Sequence, residues 1–179
     1  MKYGLSVAVL FVLGNIVAAC DDPATTAEVT TGTLRDSAEQ VIYGVRAVVA
    51  HSGLRRGELT ADTALSLDAA TRFELRGIRV QFTSTLGRPL GLLTTREGTF
   101  WLNTPLLETR GTATIASDTS GRRISGGWVR YDVSANRLLS DSPFVGTGQG
   151  RRLSGVGFTA DPGLFTIKCA KQCSGSLTP

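Results

Sequence analysis

The sequence predicts an all-β fold of stacked antiparallel strands, and three observations point there. Apolar and polar residues alternate over short runs from about Val41 onward. No stretch keeps the apolar period of an amphipathic helix, and a Gly-led motif recurs at intervals of about 30 residues.

The first residues read as a leader rather than as part of that fold. Lys2 precedes an apolar run, Leu5–Leu13, and Gly14-Asn15-Ile16 then leads to Val17-Ala18-Ala19-Cys20. A positive start, a short apolar middle and small residues at the end are the layout of a secretory signal. The run falls short of the roughly 20 residues that a helix needs to span a bilayer. Val17–Cys20 resembles a bacterial lipobox, with Val17 where Leu is commonest. That resemblance implies loss of residues 1–19, acylation of Cys20, and a membrane anchor worth roughly 0.8 kcal/mol per buried methylene. Asp21-Asp22 resembles the signal that keeps lipoproteins in the inner membrane of enteric bacteria. The expected place is therefore the periplasmic face of the inner membrane, with the outer membrane as the alternative. An ordinary secreted protein is the other reading of the leader.

Residues 20–38 are polar and Thr-rich without an apolar period, and are expected to form a flexible tether. The folded domain is expected over 39–168, with 169–179 as a flexible tail. Leu59–Leu67 places apolar or small residues at odd positions, the pattern of a strand with one buried face. Asp68-Ala69-Ala70-Thr71 reads as a turn, and Phe73-Glu74-Leu75 resumes the alternation. Beyond Gly77 the apolar phase moves to even numbers, at Ile78, Val80 and Phe82, so Gly77 is a candidate β-bulge.

The repeat organises the rest. Gly57-Glu-Leu-Thr, Gly91-Leu-Leu-Thr, Gly121-Arg-Arg-Ile-Ser and Gly150-Arg-Arg-Leu-Ser carry the aliphatic anchors Leu59, Leu93, Ile124 and Leu153, spaced by 34, 31 and 29 residues. Each period also holds a return strand: Phe73–Phe82, Leu106–Ala116 and Leu138–Val145. Two strands per repeat cannot bury their apolar face alone, so neighbours must stack into one core. The expected product is an open, V-shaped β-jelly roll with a strand edge at each end. Inward candidates from the alternation are Leu59, Ala61, Leu65, Phe73, Leu75, Ile78, Val80, Leu93, Ile115, Ile124 and Trp128. Phe100 and Trp101 fall on opposite phases, and the pattern does not choose between them. Asp161-Pro162-Gly163 is a turn by composition. Cys169 and Cys173 are spaced to form a local disulfide in an oxidising compartment, or to remain two free thiols.

Composition narrows the function classes. The 179 residues leave room for one domain with a real core, and 41% hydrophobic with 19% charged residues argues against disorder and against a multi-span membrane protein. The net charge of +4 comes mostly from Arg, scattered singly or in pairs such as Arg55-Arg56, Arg122-Arg123 and Arg151-Arg152. Without a contiguous basic face, no nucleic-acid partner is expected. A modest Arg excess does suit phosphorylated head groups, which guanidinium grips with two parallel hydrogen bonds.

Catalytic patterns are missing. No Gly-rich phosphate loop opens a helix, His51 is the single histidine, and no Ser has a nearby His and acid. Asp62, Glu74, Glu97, Asp132, Asp141 and Asp161 could serve acid/base chemistry by type, but their spacing singles out no pair. The expectation is a non-enzymatic protein with no cofactor and no metal.

From about Val41 to Thr166 the sequence resembles the LptC family of lipopolysaccharide-export proteins, within the wider OstA-like jelly-roll group. The segments that carry this are Arg56–Asp62, Leu93–Gly98, Leu107–Ile115, Gly121–Ser125, Val129–Asp132 and Leu153–Phe158. The anchor differs, because well-known relatives carry a transmembrane helix where this chain has a lipobox-like segment. The resemblance implies a groove that takes lipopolysaccharide acyl chains from an inner-membrane ABC transporter. It also implies that the cargo passes to another periplasmic jelly-roll bridge protein through strand-edge pairing. An adaptor lipoprotein of the same fold without lipid cargo is the second reading.

Overall fold

The computed structural model describes residues 38–177. The expected leader, Cys20 and nearly all of the tether lie outside the described residues. The described residues form ten strands: β1 (Gln40–His51), β2 (Leu54–Leu67), β3 (Arg72–Thr83), β4 (Pro89–Trp101), β5 (Leu106–Ser117), β6 (Arg122–Gly126), β7 (Arg130–Asp132), β8 (Arg137–Gly148), β9 (Arg151–Ala160) and β10 (Ile167–Leu177). They form one antiparallel sheet in chain order, with β6 and β7 sharing a single lane between β5 and β8.

The repeat anchors explain this order. Leu59 pairs with Val80, Val80 with Leu93, Leu93 with Ile115 and Ile115 with Ile124. Gly146 then links Ile124 to Leu153, so all four anchors stand in one row across the sheet. From Val80 to Ile124 this row is fully buried. A second row runs Phe73, Phe100, Leu107, Tyr131, Leu138 and Ala160.

Between the two rows the strands are irregular at matching positions. Gly44, Gly77, Gly111 and Gly157 have positive φ on β1, β3, β5 and β9. Registers break between Thr95 and Glu97 on β4, and between Ser140 and Pro143 on β8. At Gly77 the inward phase changes from Leu75 to Ile78, as expected for a bulge that shifts every later side chain. On β2 the same change occurs across Asp62, opposite Gly77, so that Ala61 and Ala64 both face the core.

The sheet folds along this line of irregularities, and its two halves meet. The Phe82 ring lies edge-on to Tyr131 at 4.8 Å, although β3 and β7 are not neighbours. The β1–β2 turn reaches the β7–β8 turn through His51 Nδ1 and Ser134 Oγ at 3.3 Å. The connection from β9 to β10 plugs one end: Leu164 is fully buried, and Arg122 donates to the carbonyls of Leu164 and Phe165. Asp161 holds that connection by accepting from the amides of Gly163, Phe165 and Thr166.

One boundary differs from the sequence expectation. Of the expected tail, residues 169–177 belong to β10, paired to β9 on both sides of a register shift between Lys171 and Ser174, and residues 178–179 lie outside the described residues. The segment is polar on both faces, and an edge strand held by backbone hydrogen bonds leaves no alternation to read. Cys169 and Cys173 are joined by a disulfide within this strand.

Candidate functional site

The core is not filled evenly. Its middle is closed, but between the β1 edge and the opposite half-sheet lies an apolar cleft of about 300 Å³, near the lower end of ligand-pocket sizes. β1 supplies Ile42, Val45, Ala47 and Val49, and β2 supplies Leu59 and Ala64. β3 and β4 add Phe73, Leu75 and Phe100, and Leu102, Pro105 and the fully buried Val133 complete the lining. Among the described residues β1 is the last strand on its side, and small residues, Ala47, Ala50 and Ala64, stand where bulk would close the cleft.

The inward candidates divide into three groups. Leu59, Phe73 and Leu75 line the cleft. Ala61, Ile78, Val80, Leu93, Ile115 and Ile124 lie in the closed core, where they pack against one another. Leu65 and Trp128 are corrected. Leu65 pairs with Glu74 on the outer face, because the irregularity at Asp62 interrupts the odd-numbered phase. Trp128 sits outside in the break between β6 and β7, with the Arg130 guanidinium 5.2 Å from its ring centroid; Val129 is buried instead.

Several cleft residues escaped the sequence reading. Ile42 and Val45 lie at the start of the domain, where the alternation is interrupted by Gly44. Phe100 points inward and is paired with Phe73; that cross-strand partnership would have settled its phase against Trp101. Leu102 and Pro105 belong to a turn, which carries no period.

Three of the six acidic candidates, Glu74, Asp132 and Asp161, are committed locally. Glu74, 8% exposed on the outer face, accepts from Thr99 Oγ1 at 3.0 Å and Arg72 Nη1 at 3.3 Å, and is also paired with Arg110. Asp132 accepts from the Ala135 amide, Glu108 pairs with Arg130, and Glu58 pairs with Arg46 and Arg55. Inside, the Tyr131 hydroxyl donates to Asn136 Oδ1 at 3.0 Å. Burial pushes this phenol well above its ordinary range, partly offset by the nearby Arg56 charge.

No family model and no curated protein matches the chain. Among solved structures it is similar to LptH, described as the LptA-homologous periplasmic component of the lipopolysaccharide transport device of Pseudomonas aeruginosa. The TM-score is 0.52 at 15% identity, over 68% of this chain and 94% of that one. The chain thus has the all-β, antiparallel jelly-roll fold of that transport protein.

Proposed function

We propose that this protein is a periplasmic bridge component of lipopolysaccharide transport, of the LptC type, held at the inner membrane through acylated Cys20. Acyl chains of lipopolysaccharide enter the apolar cleft beside β1, arriving from the inner-membrane ABC transporter. They leave toward the outer membrane by way of another periplasmic jelly-roll protein. The reading rests on the cleft: a jelly roll needs no opening at its edge for its own stability, and this one has an opening walled by apolar side chains alone. Burying a methylene there contributes about 0.8 kcal/mol, so a few carbons of one chain suffice for useful affinity.

Photo-crosslinking in cells tests it, with a reactive residue at Val45, Phe73 or Phe100 and at outward Arg79 as control. Lipopolysaccharide adducts at the three cleft positions, absent at Arg79 and lost when the export ATPase is inactive, support the carrier role. Adducts to protein alone, from well-expressed chains, refute it. One observation favours the adaptor reading: the row Val80–Leu93–Ile115–Ile124 is closed to solvent.

A further inference from the structure

Among the described residues the sheet ends on β1 and β10, and these two edges are built differently. β1 keeps unbroken register with β2 from Gln40 to Val49 and is rich in Val, Ile and Tyr. Tyr43 and Val48 stand 67% and 61% exposed. β10, at the opposite edge, is exposed along most of its length and loses register with β9 between Lys171 and Ser174. The three steps from Lys171 to Ser174 run beside only two from Val156 to Ser154. Gln172, in the middle, has a φ of 51°.

The disulfide lies across this irregularity. Cys169 and Cys173 have their Cα atoms 6.0 Å apart, whereas four steps of regular strand cover about 13 Å. The bond therefore cannot coexist with a straight strand over these residues; bond and bulge are one device. The neighbouring strand is shaped to receive it. A β-carbon on Gly155 would lie 2.5 Å from Cys169 Sγ and 2.9 Å from the Lys171 carbonyl oxygen, and one on Gly157 would lie 3.1 Å from Ala170 Cβ. Two glycines on β9 thus stand where the pucker presses inward.

An added strand needs regularly spaced amides and carbonyls along the edge it joins, and bulges and lysines are what make an edge refuse one. β10 has both, with Lys168 and Lys171 beside the pucker. We propose that the Cys169–Cys173 disulfide closes the β10 edge to strand addition, so that a partner's β-strand joins this protein at β1. The partner, an exposed sheet edge of another protein, rests on the bridge reading; the closure rests on the geometry of β10.

The test uses the full chain in cells, with photo-reactive residues at Arg46 or Val48 on β1 and at Lys168 or Ser176 on β10, in wild type and in Cys169→Ser/Cys173→Ser. Expected are β1 adducts in both proteins whose partner peptide maps to a strand, and β10 adducts that rise severalfold only in the double variant. Amide exchange on the purified proteins reads the clip without a partner: residues 172–174 should exchange more slowly in the double variant as regular pairing with β9 is restored. Strong β10 adducts in wild type, or unchanged exchange, overturn the closure. Silence at both edges in both proteins overturns the bridge reading and the choice of β1 with it.

Discussion

Asp62 stands directly over Gly77. A β-carbon on Gly77 would meet Asp62 Cβ at 3.0 Å and its carboxylate closer still, and Gly77 has a φ of 65°. Gly44, on the same line of irregularities, has a φ of 61° but open space around it. The pair separates two costs. Gly44→Ala pays only for the left-handed backbone, about 1 kcal/mol, whereas Gly77→Ala adds a steric clash of about 1–3 kcal/mol. Urea midpoints should show Gly77→Ala as clearly the worse of the two, with Asp62→Ala in the double variant recovering the part of the difference due to the carboxylate, since the β-carbon at 62 stays 3.0 Å away. Equal effects would mean that the Asp62 side chain swings away at no cost.

The outer face carries its own test at Glu74. Its carboxylate is buried and holds three donors, while Arg110 is about half exposed. Removing the buried end leaves Thr99 Oγ1 without its acceptor, so Glu74→Ala should cost about 1–3 kcal/mol. Arg110→Ala removes an exposed partner and should cost less than about 1 kcal/mol. Chemical denaturation of both variants checks this order; a larger loss for Arg110→Ala would show that the ion pair, not the buried acceptor, dominates.

These two sites show where the sequence was readable. Gly77 announced itself because the apolar phase changes from odd to even around it, and the anchors Leu59, Leu93, Ile124 and Leu153 share one row because an antiparallel meander with a repeat of about 30 residues returns each to the same height. Leu65 misled because Ala64, Leu65, Ser66 and Leu67 are all buried: a shift at Asp62 is invisible when the residues after it are apolar or small on both faces. Trp128 misled because a large ring in a strand break looks like core, although here it covers the outside near Arg130. The cleft was only partly legible. Its walls alternate, but its opening depends on β1 being an edge strand and on which small residues face it, and neither is encoded in local period.

Tyr131 gives the fold a pH dependence. Its phenol is buried, so its folded pKa lies above the unfolded value of about 10. Above that pH the unfolded chain releases a proton that the folded chain keeps, and stability falls as pH rises. Below it both states are protonated and the contribution is complete. Tyr131→Phe should lose about 1 kcal/mol at neutral pH, from the hydrogen bond to Asn136, yet show a shallower decline between pH 9 and pH 11. Parallel declines in the two proteins would assign the alkaline sensitivity to other groups.

Binding and packing can be separated with two substitutions on the same inner surface. Val45 is partly exposed on the edge strand and lines the cleft, so a larger side chain there fills empty space rather than displacing neighbours. Leu93 is fully buried in the closed row, and its truncation leaves a cavity costing about 2–5 kcal/mol. Val45→Trp should therefore abolish binding of a fluorescent acyl-chain probe while the thermal midpoint moves little. Leu93→Ala should lower the midpoint strongly while its folded fraction binds the probe as wild type does. If probe affinity instead follows Leu93 and ignores Val45, the acyl chain sits in the centre of the domain, the closed row must open to admit it, and the cleft beside β1 is only the entrance.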